Sequence, residues 1–283
     1  MSWLKKLHIS HKQMAIGLTV LCLIPVVLTL INVPFVLPLT IGPITKDFYN
    51  EIQKLPEGSV IAWCSTQQYR GYVPRRDLYK ALFYNIFDRK LKLVGCSFAP
   101  DTPQLWTDIL AYSGVVKKYN LKEGEDFVFF PFLAGEETAF AATAADFHKA
   151  YSTDLRGIPT GSIPLMQRVR TLRDVQLVIH DGSSFTQVDM FVRQWPAAYG
   201  VRAINMQVYA TCAPYYGRFV FGDLDGTRGD AEYEALTGYV GEDLLKMNAR
   251  NLQGLFVLAF VAIANATYFT TRPEKLKVEA KKG

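Results

Sequence analysis

Apolar residues lie in two long uncharged runs near the ends of the chain and in short bursts between them. The first run holds 33 residues, Gln13 to Thr45, and is rich in Leu, Val and Ile from Met14 to Leu39. A bilayer core takes about 20 apolar residues in helix. The run therefore predicts a membrane helix over Gln13–Val33, kinked near Pro25. An extended exit follows, because Pro34 and Pro38 each remove a backbone donor. The second run, Asn251 to Thr271, predicts a closing span. The expected organisation is a basic head (1–12), a first span with its exit (13–39), a folded domain (40–250), a second span (251–271) and a basic tail (272–283).

The bursts in between have a different period. Val60–Cys64, Leu91–Cys96, Asp126–Phe130, Val175–Ile179 and Arg202–Val208 are short and almost continuously apolar, as expected of strands covered on both faces. Helical spacing separates them: Leu78, Leu82 and Ile86, then Leu105, Ile109 and Val116, then Val188, Phe191 and Trp195. Thr102-Pro103 is a helix start, and Ser184-Phe-Thr-Gln187 has the form of a capping box. Thr211 to Gly229 reads as loop. Five strands alternating with helices define an α/β fold. The expectation is a Rossmann-like or flavodoxin-like three-layer domain with a mainly parallel five-stranded sheet, flanked by an N-terminal and a C-terminal transmembrane helix.

Charge adds a direction to this layout. The net charge is +5, and much of the excess lies in the head and tail. The nearly neutral middle argues against nucleic acid as a partner. Outside the two runs lie Lys5, Lys6, Lys12, Arg272, Lys275, Lys277, Lys281 and Lys282. Inside them lie Lys46, Lys54, Lys246 and Arg250. The positive-inside rule then puts both termini in the cytoplasm and the domain outside the membrane. The first run is longer than a cleaved signal's apolar stretch, so it reads as a signal-anchor. Cys64, Cys96 and Cys212 fall in the domain without CxxC or zinc-ligand spacing.

In open α/β sheets, ligands bind beyond the carboxyl ends of the strands. There the sequence places Ser65, Ser97 and the run His180-Asp181-Gly182-Ser183-Ser184. Gly182 allows a tight turn, and Ser183, Ser184 and helix-start amides can hold an anion. The bland alternative is that Ser184 only caps its own helix. Neither GxGxxG nor a P-loop is present, so no nucleotide cofactor is expected. Gly222-Asp-Leu-Asp-Gly226 departs from the EF-hand pattern, and no metal is expected. In the second span, Ala262 and Ala266 form a small-residue face beside Asn265, suited to contact with another helix. Tyr215, Tyr216 and Phe219 are candidates for a protein contact surface.

Several local features also resemble a group of uncharacterised prokaryotic two-span membrane-anchored α/β proteins. They are the Pro-rich first span, the Leu55-Pro-Glu-Gly58 turn, Asp146-Phe-His148, Thr153-Asp-Leu-Arg-Gly157, Ile163-Pro-Leu-Met166 and the closing span. The resemblance implies an anchored α/β domain and assigns no activity. With no catalytic set strong enough to name a reaction, the first expectation is a non-enzymatic scaffold or accessory subunit of a larger membrane complex. Its partners would be the lipid bilayer and other membrane subunits or a second copy. The alternatives are a ligand sensor, or an enzyme for a small anionic or lipid-linked substrate at the strand-end crevice.

Overall fold

A computed structural model describes residues 11–30, 38–182, 184–207, 213–239 and 241–279. The chain forms two compact units. One comprises Met1–Pro38 with Leu245–Gly283, the other Leu39–Leu244.

The second unit is built on six parallel strands: β1 (Val60–Ser65), β2 (Lys92–Ser97), β3 (Phe127–Phe132), β4 (Leu177–Gly182), β5 (Ala203–Gln207) and β6 (Val220–Asp225). Their order is β3-β2-β1-β4-β5-β6. This is the doubly wound Rossmann order, with its topological switch point between β1 and β4. The five expected strands are all present.

The sixth strand corrects the reading of Thr211–Gly229 as loop. Val220-Phe-Gly-Asp-Leu-Asp225 carries a glycine and two carboxylates, which disguise a strand. The glycine and the first carboxylate each have a tertiary cause. A Cβ at Gly222 would sit 2.3 Å from the Phe48 backbone, because the helix Pro43–Gln53 crosses the strand there. Asp223 accepts a hydrogen bond from Asn205 Nδ2 at 2.7 Å.

Alternating strand residues feed two cores. Ile61 and Trp63 of β1 join Phe48, Leu82, Phe83 and Trp106 on one face. Val60, Ala62 and Cys64 join Phe140, Phe147, Phe191 and Trp195 on the other. The helices are thereby divided between both faces of the sheet. Arg76–Asp88 and Gly226–Thr237 lie on the first, Glu137–Ala145 and Phe185–Gln194 on the second. Tyr215 and Phe219 pack half-buried against the second core, and the Tyr216 hydroxyl donates to Asp47. These aromatics serve their own domain instead of forming an exposed contact surface. Cys64 and Cys96 are buried free thiols; Cys212 lies outside the described residues.

In the first unit, one helix runs over His11–Leu30, and Val33 lies outside the described residues. The closing helix runs over Glu242–Glu279 and begins in the second unit. Among the described residues, one helix is long and apolar enough to cross a membrane, the Glu242–Ala266 part of the closing helix. Within the first unit the Phe256 ring lies over Gly17, where a Cβ would approach it to 2.9 Å. Ala262, Asn265 and Ala266 are all exposed.

Candidate functional site

The carboxyl end of β1 passes directly into the polar segment Ser65-Thr66-Gln67, and β4 ends in His180-Asp181-Gly182. Parallel register sets Ser65 beside Ser97 on one side and beside Asp181 on the other. Three of the expected site residues therefore meet at the switch point. Gly182 lies at the same level, where a Cβ would come within 2.2 Å of Thr66 Oγ1. Ser183 lies outside the described residues.

Two expectations need correction. Ser184 stands at the start of the helix Phe185–Gln194 but makes no side-chain capping bond. Its expected box partner Gln187 instead accepts from Thr66 Oγ1 at 3.1 Å. Ser97 is committed to the wall of the fold: its hydroxyl donates to the Phe130 carbonyl at 2.8 Å and accepts from Trp106 Nε1 at 3.1 Å. It has no donor left for a ligand.

Asp181 is fully buried. Tyr79 donates to its Oδ2 at 2.7 Å. Burial pushes the carboxyl up to about 6, against the pull of Ser65, Tyr79, Arg75 and Trp63. Ser65 and Trp63 are close enough to act on the charge, yet neither makes a well-aligned hydrogen bond to Oδ1. Arg75 is buried as well. Its Nε and Nη2 grip Asp230 at 2.7 Å each, and Nη1 has no protein partner.

His180 anchors the other side. Its Nδ1 faces Asn205 Oδ1 at 2.8 Å, and the ring stacks on Phe191 with centroids 4.7 Å apart. The Asn205 amide already donates to Asp223, so its oxygen accepts and Nδ1 carries the proton. Burial lowers the imidazole to about 4, and His180 is neutral at ordinary pH. Gln207 Nε2 lies 3.2 Å from that same protonated Nδ1, an unproductive pairing, and its Oε1 has no partner.

Gln67 is the least satisfied group. It is fully buried, and neither its amide nitrogen nor its oxygen has a well-aligned hydrogen bond. A buried polar group left without a partner costs about 1–3 kcal/mol. Gln67, Arg75 and Asp181, on the Tyr79 side of the sheet, and Gln207, on the His180 side, thus offer unused donors and acceptors on the two faces of the strand ends.

Their chemistry selects against an anion. The buried cation Arg75 is already neutralised by Asp230. The turn after β1 spends its amides internally: Thr66 N–H on the Asp181 carbonyl at 2.9 Å, Gln67 N–H on Ser65 Oγ at 3.4 Å and Tyr69 N–H on Asp101 at 3.2 Å. A phosphate cradle needs such amides free. Among the described residues, no group of His, Cys, Asp and Glu side chains is suited to hold a metal ion. Asp146 instead caps the helix Phe147–Ala150, and His148 Nε2 meets the Met166 carbonyl at 2.8 Å.

Sequence reasoning missed Gln67, Arg75 and Tyr79. Asn205 and Gln207 left a readable trace: two polar residues alternating in a strand covered on both faces.

Fold and site together define a Rossmann-like α/β domain with an incompletely satisfied polar cluster at its switch point. No protein-family model matches the chain, and no curated protein matches it. Among solved structures, the chain is similar to a trehalose-6-phosphate synthase, OtsA, at 10% identity and a TM-score of 0.28 over 79% of this chain. It spans 46% of that structure's length, and a likeness at this level carries no argument about function.

Proposed function

We propose that the chain is a membrane-tethered binding protein whose α/β domain holds a small uncharged molecule rich in hydroxyl or amide groups. The observation that carries this reading is the set of buried, unused hydrogen-bonding atoms on Gln67, Arg75, Asp181 and Gln207 at the switch point. Such groups suit a ligand that both donates and accepts. An anionic ligand finds no free counterion there, because Arg75 is already paired with Asp230.

Tethering rests on the closing helix and on the uncharged run that forms the helix His11–Leu30, which we read as a second span. The basic flanks favour both termini in the cytoplasm and the domain outside. An accessory role in a larger membrane complex remains the second reading. It is favoured by large apolar side chains left exposed around the strand ends, such as Val73 and Phe185.

Native mass spectrometry of the full chain, released gently from detergent, tests the first reading. The expected result is a protein carrying one small neutral adduct. A thermal-shift panel on the same preparation should favour uncharged polyols and amides over their phosphorylated or carboxylated analogues. A bare protein that responds only to anions would refute the reading.

A further inference from the structure

The polypeptide enters and leaves the α/β domain at the same end of the sheet. It enters beside the carboxyl end of β6, where the Gly42 amide and the Thr45 hydroxyl both donate to Glu232 Oε2, at 2.9 and 2.7 Å. It leaves beside the first turn of the helix Arg76–Asp88, just beyond the carboxyl end of β1. There the Glu242 amide donates to Asp77 at 2.9 Å, and Arg76 lies 3.6 Å from Glu242. The same end carries most of the domain's exposed large apolar side chains. Ile44 opens the entry helix, Tyr69 and Val73 follow β1, Phe132 ends β3, and Phe185 opens the helix after β4; they are 36–48% exposed.

Two independent features thus share one face: the chain connections to the apolar helices, and aromatic and aliphatic side chains turned to solvent. The uncharged part of the closing helix begins at Asn251, nine residues after Glu242. Nine residues of chain reach at most about 30 Å in any conformation, so covalent connection alone keeps a membrane crossed by the closing helix within that reach of this end of the sheet. Aromatic and apolar side chains at such a level insert into the headgroup boundary.

We propose that the carboxyl-end face of the sheet, with Ile44, Tyr69, Val73, Phe132 and Phe185, rests on the lipid surface. This deepens the binding reading and rests on its membrane tether: the strand ends that carry the switch-point residues face the bilayer, so a ligand that reaches them arrives along the membrane surface.

Single cysteines at positions 73, 185, 125 and 258, in a Cys22→Ala, Cys212→Ser background, test this. The full chain is labelled with a bimane and reconstituted in phosphatidylcholine vesicles doped with a headgroup-nitroxide or acyl-chain-nitroxide lipid. The variants are V73C, F185C, E125C and L258C, all at positions with substantial exposure. Headgroup quenching at 73 and 185 should exceed that at 125, beyond the amino end of the sheet, several-fold. Acyl-chain quenching at 258 reports the tether separately. Quenching at 258 with none at 73 and 185, or equal headgroup quenching at 73, 185 and 125, overturns the proposal and leaves the tether standing. No quenching at any position overturns both.

Discussion

Gly182 shows how closely the strand ends are fitted. A methyl group there would meet Thr66 Oγ1 at 2.2 Å and Gln187 Oε1 at 3.0 Å, both in a hydrogen-bonded corner. Gly182→Ala should therefore destabilise the domain by about 1–3 kcal/mol, the usual cost of overpacking, measured as a shift in the denaturation midpoint. Arg75→Ala should cost more, about 3–5 kcal/mol, because it strands the Asp230 carboxylate in the interior. Residues of these two kinds differ in how they can be read. Asp181, Gly182 and Ser65 stood out in the sequence, because small polar residues that close an apolar burst mark where a buried strand meets the edge of its sheet. Arg75 did not. In Val73-Pro-Arg-Arg76 it looks like a solvated helix start, and only contact with Asp230, 155 positions away, makes it internal. Gln67 was equally silent, since nothing local distinguishes a buried glutamine from the exposed Gln68 beside it.

At the scale of elements, the strands β1 to β5 and their parallel character followed from period alone, whereas β6 was hidden by residues that serve tertiary contacts. The start of the closing helix was hidden for a similar reason. It is capped from another helix: Glu234, in Gly226–Thr237, accepts from the Gly241 and Leu244 amides at 3.1 and 3.0 Å. Burial, followed by the neighbouring Asp243 and Asp77 carboxylates, pushes Glu234 up to about 8, against the stabilising amides. The folded value lies above the unfolded one near 4.5. Its stabilising contribution is complete below about pH 4.5 and is lost as the pH rises through 8, at about 1.4 kcal/mol for each pH unit between the two values. Asp181 acts in the same direction between about 4 and 6. His180 acts oppositely, losing stability as the pH falls from 6.5 towards 4. Glu234→Gln keeps an acceptor for the amides and removes the charge. The variant's melting temperature should change little between pH 6 and 9, while the parent's declines. Parallel declines would show that Glu234 is not the group responsible.

For the whole molecule, the topology proposed from the basic flanks can be checked in cells. A cysteine at exposed position 125 (Glu125→Cys) should react with a membrane-impermeant thiol reagent in intact cells. Reaction only after permeabilisation would place the domain in the cytoplasm. If the unused hydrogen-bonding atoms at the switch point serve a ligand, as proposed, Gln67 is where stability and binding should separate. Gln67→Met keeps the side chain's length and removes both unsatisfied atoms. Melting of the full chain should be compared with and without the neutral molecule found on the parent by native mass spectrometry. The expected result is a ligand-free variant that melts higher than the parent, by the equivalent of about 1–3 kcal/mol, and that no longer shifts when the ligand is added. A variant that melts lower and still shifts like the parent would contradict a ligand-binding role for the cluster.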